Sequence, residues 1–570
     1  MTLPSGIEWR PWEAATFDAA RREGKPLYVN VAAGWCHWCH VMDATTFADP
    51  AVQQALRGFV AIRVDADARP DLAERYGDWG WPANALLTSA AEPVAELRGY
   101  QEPQPFAELL RDVAARARSG TLTGRVAPPP TRPVAGDLAA LRDRVASQLA
   151  GFYDRAEGGW GGFQKYPHPG LLEQAWLAEA RGEAVGRRRA EQTLAGVLNL
   201  LDPVWGGCSQ YSTHHGWKHP HFEKIAAVQA AALASFPQAW RRTGDARWRE
   251  AADGVRRFIL DWLATAEGPF VTSLDADATR PDGSTVKGER YWNLDDAGRR
   301  RIGLPKVDRS VYADWNGLLI HALASHPDAT GERAGLLAAA RSARHLLATH
   351  QEPSGAFRHG AAPDPILHLR DNAGMGRALL ALARSSGDDA WVAEAERVAR
   401  WMLANLQAPD GGFFAPTADP AATGIFATRR KPLEENGLAA RFLLELAWRS
   451  ADETLAASCR AAAERTIRAL GAPETVAAEA NLVGQFLLGA EWLLLEPTKA
   501  VVVGAAERDP LWSAALALDV AGLVVRDAHP GEYPATPSPA VYLCRGNACS
   551  RPVTDPAALA GEAARLPSAP

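Results

Sequence analysis

The stretch Leu27-Tyr28-Val29-Asn30-Val31-Ala32-Ala33-Gly34-Trp35-Cys36-His37-Trp38-Cys39-His40-Val41-Met42 decides how the first part of this chain folds. Residues 27 to 33 are a short, mainly apolar run, which reads as a buried strand, and Gly34-Trp35 then turns the chain into a helix predicted from about Cys36 to Phe47. Two cysteines three positions apart therefore fall at a helix N-terminus. Asp49 follows as an N-cap, Pro50 as the first helical residue and Gly58 as a stop, before the strand Phe59-Val60-Ala61-Ile62-Arg63-Val64. The unit is β-α-β with a cysteine pair at its turn.

Beyond it come a short helix near Asp71 to Tyr76, the triplet Gly80-Trp81-Pro82, a strand over Asn84 to Thr88, its hairpin partner Val94 to Leu97 and a helix from about Pro105 to Arg118. That order is the order of a thioredoxin-like α/β domain. A proline at the entrance of a central strand is best accommodated by a cis bond, so Trp81–Pro82 is expected cis beside the cysteines. A helix N-terminus favours the thiolate, which makes Cys36 the attacking thiol and Cys39 the resolving one; a protonated His37 between them would lower the first pKa further. The site read from this segment is Cys36, Cys39, His37 and Pro82. Cys36-His37-Trp38-Cys39-His40 also matches the C-x-x-C-H pattern of covalent haem attachment, and Cys36, Cys39 and a histidine could hold zinc, although no second C-x-x-C lies in this domain.

A chain of 570 residues, 47% of them hydrophobic, is too long for one core and calls for several domains. Its 61 basic and 67 acidic residues are interspersed, with a net charge of -6 and no basic tract, so nucleic acid is not expected as a partner. No segment reads as a membrane span, and Met1 to Arg10 lacks a basic leader followed by an apolar run, which reads as cytoplasmic. Six cysteines are too few for a disulfide framework at this length. No resident cofactor or metal is expected.

Ser119 to Gly136, with Pro128-Pro129-Pro130 and Pro133, reads as a linker. The expected division is a thioredoxin-like domain over 1–118, the linker over 119–136, an all-α toroid over 137–497 and a small α/β segment over 498–570. Eleven helical patterns lie between Leu138 and Leu470, close to six hairpins. Between them recur glycine-aromatic turns at Gly158 to Phe163, Trp205 to Gly207, Gly268 to Phe270, Gly355 to Phe357 and Gly411 to Phe414, about one per helical pair.

Polar and aromatic residues gather after these turns. Tyr211, His221, Glu223, Asp275, Asp277, Asn316 and Asp371 are the candidate barrel site, since aromatic planes beside carboxylates and amides suit a sugar ring. His221 with Glu223 would serve proton transfer, and Asp275 or Asp277 with a second carboxylate would serve hydrolysis. The plainer readings are a metal site of His219, His221 and Glu223, a structural network with Glu223 in the first turn of a helix over Glu223 to Arg242, and an Asx turn at Asp275-Ala276-Asp277. Strand signals at Ala500 to Gly504, Leu523 to Val525 and Ala540 to Leu543 mark the C-terminal segment, without a dinucleotide fingerprint. Cys544 and Cys549 form a candidate second thiol pair: redox-active, a partner for the first disulfide, or two thiols at a strand end.

Trp35-Cys36-His37-Trp38-Cys39-His40-Val41-Met42, Phe47, Val64-Asp65, Arg69-Pro70-Asp71, Gly80-Trp81-Pro82, Trp160-Gly161-Gly162-Phe163, Pro220-His221-Phe222-Glu223-Lys224, Asp275-Ala276-Asp277, Trp315-Asn316-Gly317 and the Cys544/Cys549 spacing together resemble the thioredoxin-like family that includes mammalian spermatogenesis-associated protein 20. The resemblance implies a thioredoxin-like domain followed by an (α/α)6 barrel of the six-hairpin glycosidase type, akin to sugar 2-epimerases. The chain departs from that pattern at Gly99 to Pro103, which is abbreviated, and at Ile225 to Gln229, which is less polar. Three functions follow as expectations: thiol–disulfide exchange on a protein disulfide through Cys36 and Cys39, an epimerase or glycosidase acting on a saccharide-like small molecule in the barrel, or a redox-linked binding scaffold.

Overall fold

Strand β2 (Leu27–Ala32) is buried along its whole length, so it must be covered on both faces and both edges. A computed structural model describes residues 3–76, 80–125, 136–330, 333–504, 510–529, 531–534 and 536–567; the linker prolines 128–130 and 133 lie outside the described residues. In it β2 lies parallel to β3 (Val60–Asp65) and antiparallel to β4 (Ala83–Leu87); β1 (Trp9–Arg10) and β5 (Pro93–Arg98) form the edges, giving the order β1-β3-β2-β4-β5. Helices α1 (Ala14–Glu23), α2 (His37–Ala44), α3 (Pro50–Leu56), α4 (Pro70–Tyr76) and α5 (Pro103–Arg118) complete a thioredoxin-like fold. Asp49 caps α3 through the amides of Ala51 and Val52, with Pro50 at its start. The Trp81–Pro82 peptide is cis.

The second body is built of outer-then-inner helix pairs: α6 (Leu138–Phe152) with α7 (Pro169–Ala180), and α8 (Ala184–Val197) with α9 (Ala226–Thr243). In the third pair, α10 (Ala246–Phe258) reaches its inner partner through the short α11 (Gly288–Trp292) and α12 (Asp296–Ile302), and that partner is α13 (Ala313–Thr330). Then come α14 (Ala334–Thr349) with α15 (Leu369–Ser386), α16 (Ala390–Asn405) with α17 (Leu433–Arg449), and α18 (Glu453–Leu470), which passes through α19 (Pro473–Ala478) to α20 (Gly484–Leu493). Helices α7, α9, α13, α15, α17 and α20 each pack on the next and α20 closes on α7, so among the described residues six pairs form a closed (α/α)6 toroid. Glycines permit the closest crossings: a Cβ on Gly437 of α17 would lie 2.3 Å from the backbone of Gln485 and Phe486 in α20.

Each glycine-aromatic turn has the same job. After the outer helix the chain reverses through a left-handed glycine and makes one antiparallel bridge, as in Gln351 with Phe357 and Gln407 with Phe413. In four of the five, an amide one turn into the inner helix then clamps that turn; at Gly158 to Phe163 the Gly159 amide donates instead to the Thr193 hydroxyl. Asn316 Oδ1 accepts from the Phe270 amide at 2.8 Å while its Nδ2 donates to the Phe270 and Tyr312 carbonyls. Gln229 clamps Cys208, Asn372 clamps Phe357 and Asn436 clamps Phe413 in the same way. Buried amides with every group matched fix the hairpin geometry.

A third body follows, its sheet ordered β13 (Leu523–Asp527), β12 (Thr498–Val503), β14 (Ala540–Arg545), β15 (Ala548–Cys549). Helices α21 (Pro510–Leu516) and α22 (Leu559–Arg565) supply residues to its own apolar cluster. It contacts the C-terminal end of α17, where Arg449 donates to the Val525 carbonyl at 2.8 Å. The thioredoxin-like body covers the opposite end, where the inner helices begin. Trp12 and Arg69 donate to Asp419, Arg21 to Thr423, and the Ile425 amide to the Ala91 carbonyl; Trp12 meets Phe426 edge-on at 4.7 Å. His359 joins the two bodies at their core: one ring nitrogen is 2.9 Å from Asp371 and the other 2.6 Å from the Asp67 carbonyl. Burial opposes the charge on this ring, but Asp371, Asp314 and the hydrogen bonds outweigh it and raise the pKa to about 9.

Candidate functional site

A strand that ends at Ala32 and a helix that starts at His37 leave four residues to turn the chain, and Cys36 is the N-cap of α2. Cys36 and Cys39 are bonded as a disulfide, and the Cys39 amide also donates to the Cys36 sulfur at 3.1 Å. The pair lies beneath the toroid, with Cys36 5% and Cys39 1% exposed. Trp35 anchors the turn by donating to Asp67 at 2.8 Å, and burial followed by repulsion from Asp65 pushes that carboxyl up to about 7.

Cys36 lines a cavity of about 870 Å³ whose opposite wall belongs to the toroid. Its toroid side includes Trp160, Phe163, Gln210, Tyr211, His221 and Glu223. Tyr211 and His221 face each other across a two-stranded pair, β6 (Tyr211–Ser212) and β7 (Pro220–His221), with rings stacked at 4.2 Å and 13°. Burial lowers the His221 pKa to about 4, so its imidazole is neutral at physiological pH.

Glu223 does not open its own helix as the sequence pattern suggested. It precedes the short strand β8 (Lys224–Ile225), and α9 begins only at Ala226. The carboxylate lies instead beside the first turn of α2, where the His37 backbone N–H helps to hold its pKa down. Glu223 is 2% exposed, and its Oε2 has no hydrogen-bond partner. Burial raises its pKa, the two backbone N–H groups oppose that, and Asp275 and Asp277 add to it, leaving the group at about 7.

The insertion between α10 and α13 forms a small sheet of β9 (Ser273–Thr279), β10 (Thr285–Val286) and β11 (Pro305–Asp308), with β8 paired to β9. This sheet presents Asp275 and Asp277 to the thioredoxin-like body, which covers the toroid as a lid: Asp277 lies 3.8 Å from His37 and Asp275 3.9 Å from His40. Asp277 also accepts from Lys287 and the Gly288 amide, both at 2.8 Å, and the Asp277 amide donates to Asp275 as the Asx reading expected. Burial lowers the His37 pKa, against the pull of Asp277. The imidazolium expected to tune Cys36 is therefore disfavoured, which leaves the positive end of α2 as the stabiliser of a thiolate.

The remaining candidates lie elsewhere. Asn316 is committed to its turn clamp. Asp371 pairs with His359 at the domain junction, beside an Arg370–Asp314 ion pair of 2.9 Å. Among the described residues Asp314, His359 and Asp371 are the one cluster with metal-ligand spacing; His219, His221 and Glu223 do not form one. Both His359 ring nitrogens are already engaged, and the cluster reads as an ion-pair network. A chamber of about 460 Å³ lies under the lid at the inner-helix starts, lined by Trp81, Arg370, Glu434 and Glu435 among others. Burial raises Glu434 to about 7 and Glu435 to about 8. Cys544 and Cys549 are a disulfide across β14 and β15. They lie beyond the far end of α17, a helix of 17 residues that spans roughly 25 Å, so they cannot exchange with Cys36 within one molecule.

Residues 2–115 match the family model Thioredox_DsbH, described as a protein of unknown function, DUF255. The chain is similar to human spermatogenesis-associated protein 20, 27% identical over 321 residues that cover 50% of this chain and 41% of that protein. The match thus spans about two fifths of the relative's length. It is also similar to thiol:disulfide interchange protein DsbD 1 of Pseudomonas aeruginosa, 32% identical over 122 residues, 20% of each chain. A solved D-mannose isomerase superposes with a TM-score of 0.48 at 12% identity, covering 63% of this chain and 97% of that one. The resemblance carried by the motifs is thus found by comparison as well. No helix among the described residues is long and apolar enough to cross a membrane.

Proposed function

We propose that the protein is a thiol–disulfide oxidoreductase whose Cys36–Cys39 pair acts on small substrates admitted to the cavity between lid and toroid. One observation carries this reading: the sulfur at the start of α2 lies on a cavity wall completed by the toroid, not on an open surface. Exchange needs a thiolate to approach the disulfide in line, and the contacts of His37 and His40 with Asp277 and Asp275 place the toroid where a folded partner would have to dock. In the reducing direction the Cys36 thiolate attacks one sulfur of R–S–S–R and releases RS⁻. Cys39 then displaces the second RS⁻ and closes the protein disulfide. Two electrons and two protons pass from the Cys36/Cys39 dithiol to two RSH.

The test compares substrates by size. Reduced protein is expected to consume bis(2-hydroxyethyl) disulfide at least about tenfold faster, relative to dithiothreitol, than it reduces the disulfides of folded insulin. Equal relative rates, or no reaction with the small disulfide, would remove this proposal.

A further inference from the structure

The cavity beside Cys36 is lined in a way that bare disulfide exchange does not require. Tyr211 and His221 are stacked face to face, a pair that has only its outer ring faces left to cover, and Phe163, 52% exposed, stands at the rim in an edge contact with His215. Three side-chain amides on the wall, the half-buried Gln210 and Asn481 and the exposed Gln164, make no side-chain hydrogen bond within the protein among the described residues. That contrasts with Gln229, Asn316, Asn372 and Asn436, whose amides are all matched by backbone groups. Nor does any lysine or arginine line this cavity among the described residues, and its one carboxyl is Glu223.

Each property selects against a class of thiol. A wall without a fixed cation gives no partner to the carboxylates of an anionic peptide disulfide, which would lose hydration without compensation. A purely hydrocarbon thiol would leave the amides of the half-buried Gln210 and Asn481 dehydrated and unpaired. A ring with an apolar face and several hydroxyls satisfies both: its face stacks on an outer face of the Tyr211–His221 pair and its hydroxyls pair with the amides. A volume of about 870 Å³ has room for such a group beyond the sulfur.

We propose that the substrate of the Cys36–Cys39 pair is a low-molecular-weight disulfide whose carbon skeleton is an uncharged sugar or similar polyol, its sulfur at Cys36 and its ring against an outer face of the Tyr211–His221 stack. This rests on the exchange reading above. The chemistry is unchanged: the sugar disulfide takes two electrons and two protons from the protein dithiol and leaves as two sugar thiols, so one turnover needs no further reductant.

The probe is bis(β-D-glucopyranosyl) disulfide, compared in single turnover with bis(2-hydroxyethyl) disulfide and oxidised glutathione, each rate divided by that of dithiothreitol with the same disulfide. The glucosyl compound is expected to react at least about tenfold faster than either on this scale, the size of one stacked ring with its hydrogen bonds. Tyr211→Ala is expected to collapse the glucosyl-to-hydroxyethyl ratio toward one, and Tyr211→Phe to retain it. Equal corrected rates, or a preference for glutathione disulfide, would overturn the sugar assignment while leaving exchange intact. Failure of all three disulfides would instead overturn the exchange reading itself.

Discussion

Cys36→Ser protein, reduced beforehand, is expected to leave bis(2-hydroxyethyl) disulfide unconsumed, a loss of about a thousandfold or more in rate. The size of the effect follows from the placement of the other sulfurs. Cys39 is 1% exposed and sits behind Cys36 on α2, so it can resolve a mixed disulfide but not start one. Cys208 and Cys459 are fully buried, and burial pushes both thiols up to about 12, so neither offers a thiolate at neutral pH. Cys544 and Cys549 lie past the opposite end of the toroid. Stopped-assay thiol titration measures the loss directly. A Cys36→Ser rate within tenfold of the unaltered protein's would place the chemistry at another sulfur.

Glu223→Gln is expected to change how stability depends on pH. The Glu223 carboxyl titrates at about 7 in the folded protein against an ordinary value of 4.5. Because the folded state binds this proton more tightly, its contribution is fully present below the ordinary value and is lost as pH rises through about 7. A shift of this size corresponds to about 3 kcal/mol. The unaltered protein should therefore lose more thermal stability between pH 5 and pH 8 than the variant does. His37, His221, Tyr211, Lys224, Asp275 and Asp277 surround the group from α2, β7, β6, β8 and β9 and are common to both proteins, so the difference between the two profiles isolates Glu223. At pH 8 the carboxylate also competes with a Cys36 thiolate for the positive end of α2, so the variant should alkylate faster there. Parallel stability profiles would show that Glu223 is not the buried acid described here.

The N-terminal domain was legible from Leu27 onward, because strand, cap and cysteine spacing act locally, whereas β1 and α1 before it were not read and α2 ends at Ala44, three residues short of the expected Phe47. The outer and inner helices were legible too, with one exception that closes the ring: Gly484–Leu493 is apolar apart from Gln485 and Glu491, too uniformly so to carry a clear helical stripe. The short strands at Ser273–Thr279 and Pro305–Asp308 were hidden for the opposite reason, being polar segments held by pairing across a long insertion. Asn316 drew attention as a polar group near an aromatic turn. Its true signal was repetition, since Gln229, Asn372 and Asn436 occupy the same place one turn into their own helices. The meeting of Cys36 with Tyr211, His221 and Glu223 joins residues nearly two hundred positions apart, and nothing local in either segment announces it.

The most direct test of the central claim, that the disulfide on α2 reacts through the cavity shared with the toroid, is a trap. Reduced Cys39→Ser protein is mixed with bis(2-hydroxyethyl) disulfide and its intact and peptide masses are read. One persistent mercaptoethanol adduct is expected, located at Cys36, with Cys208 and Cys459 unmodified. No adduct at Cys36, or modification of the buried thiols at the same rate, would contradict it.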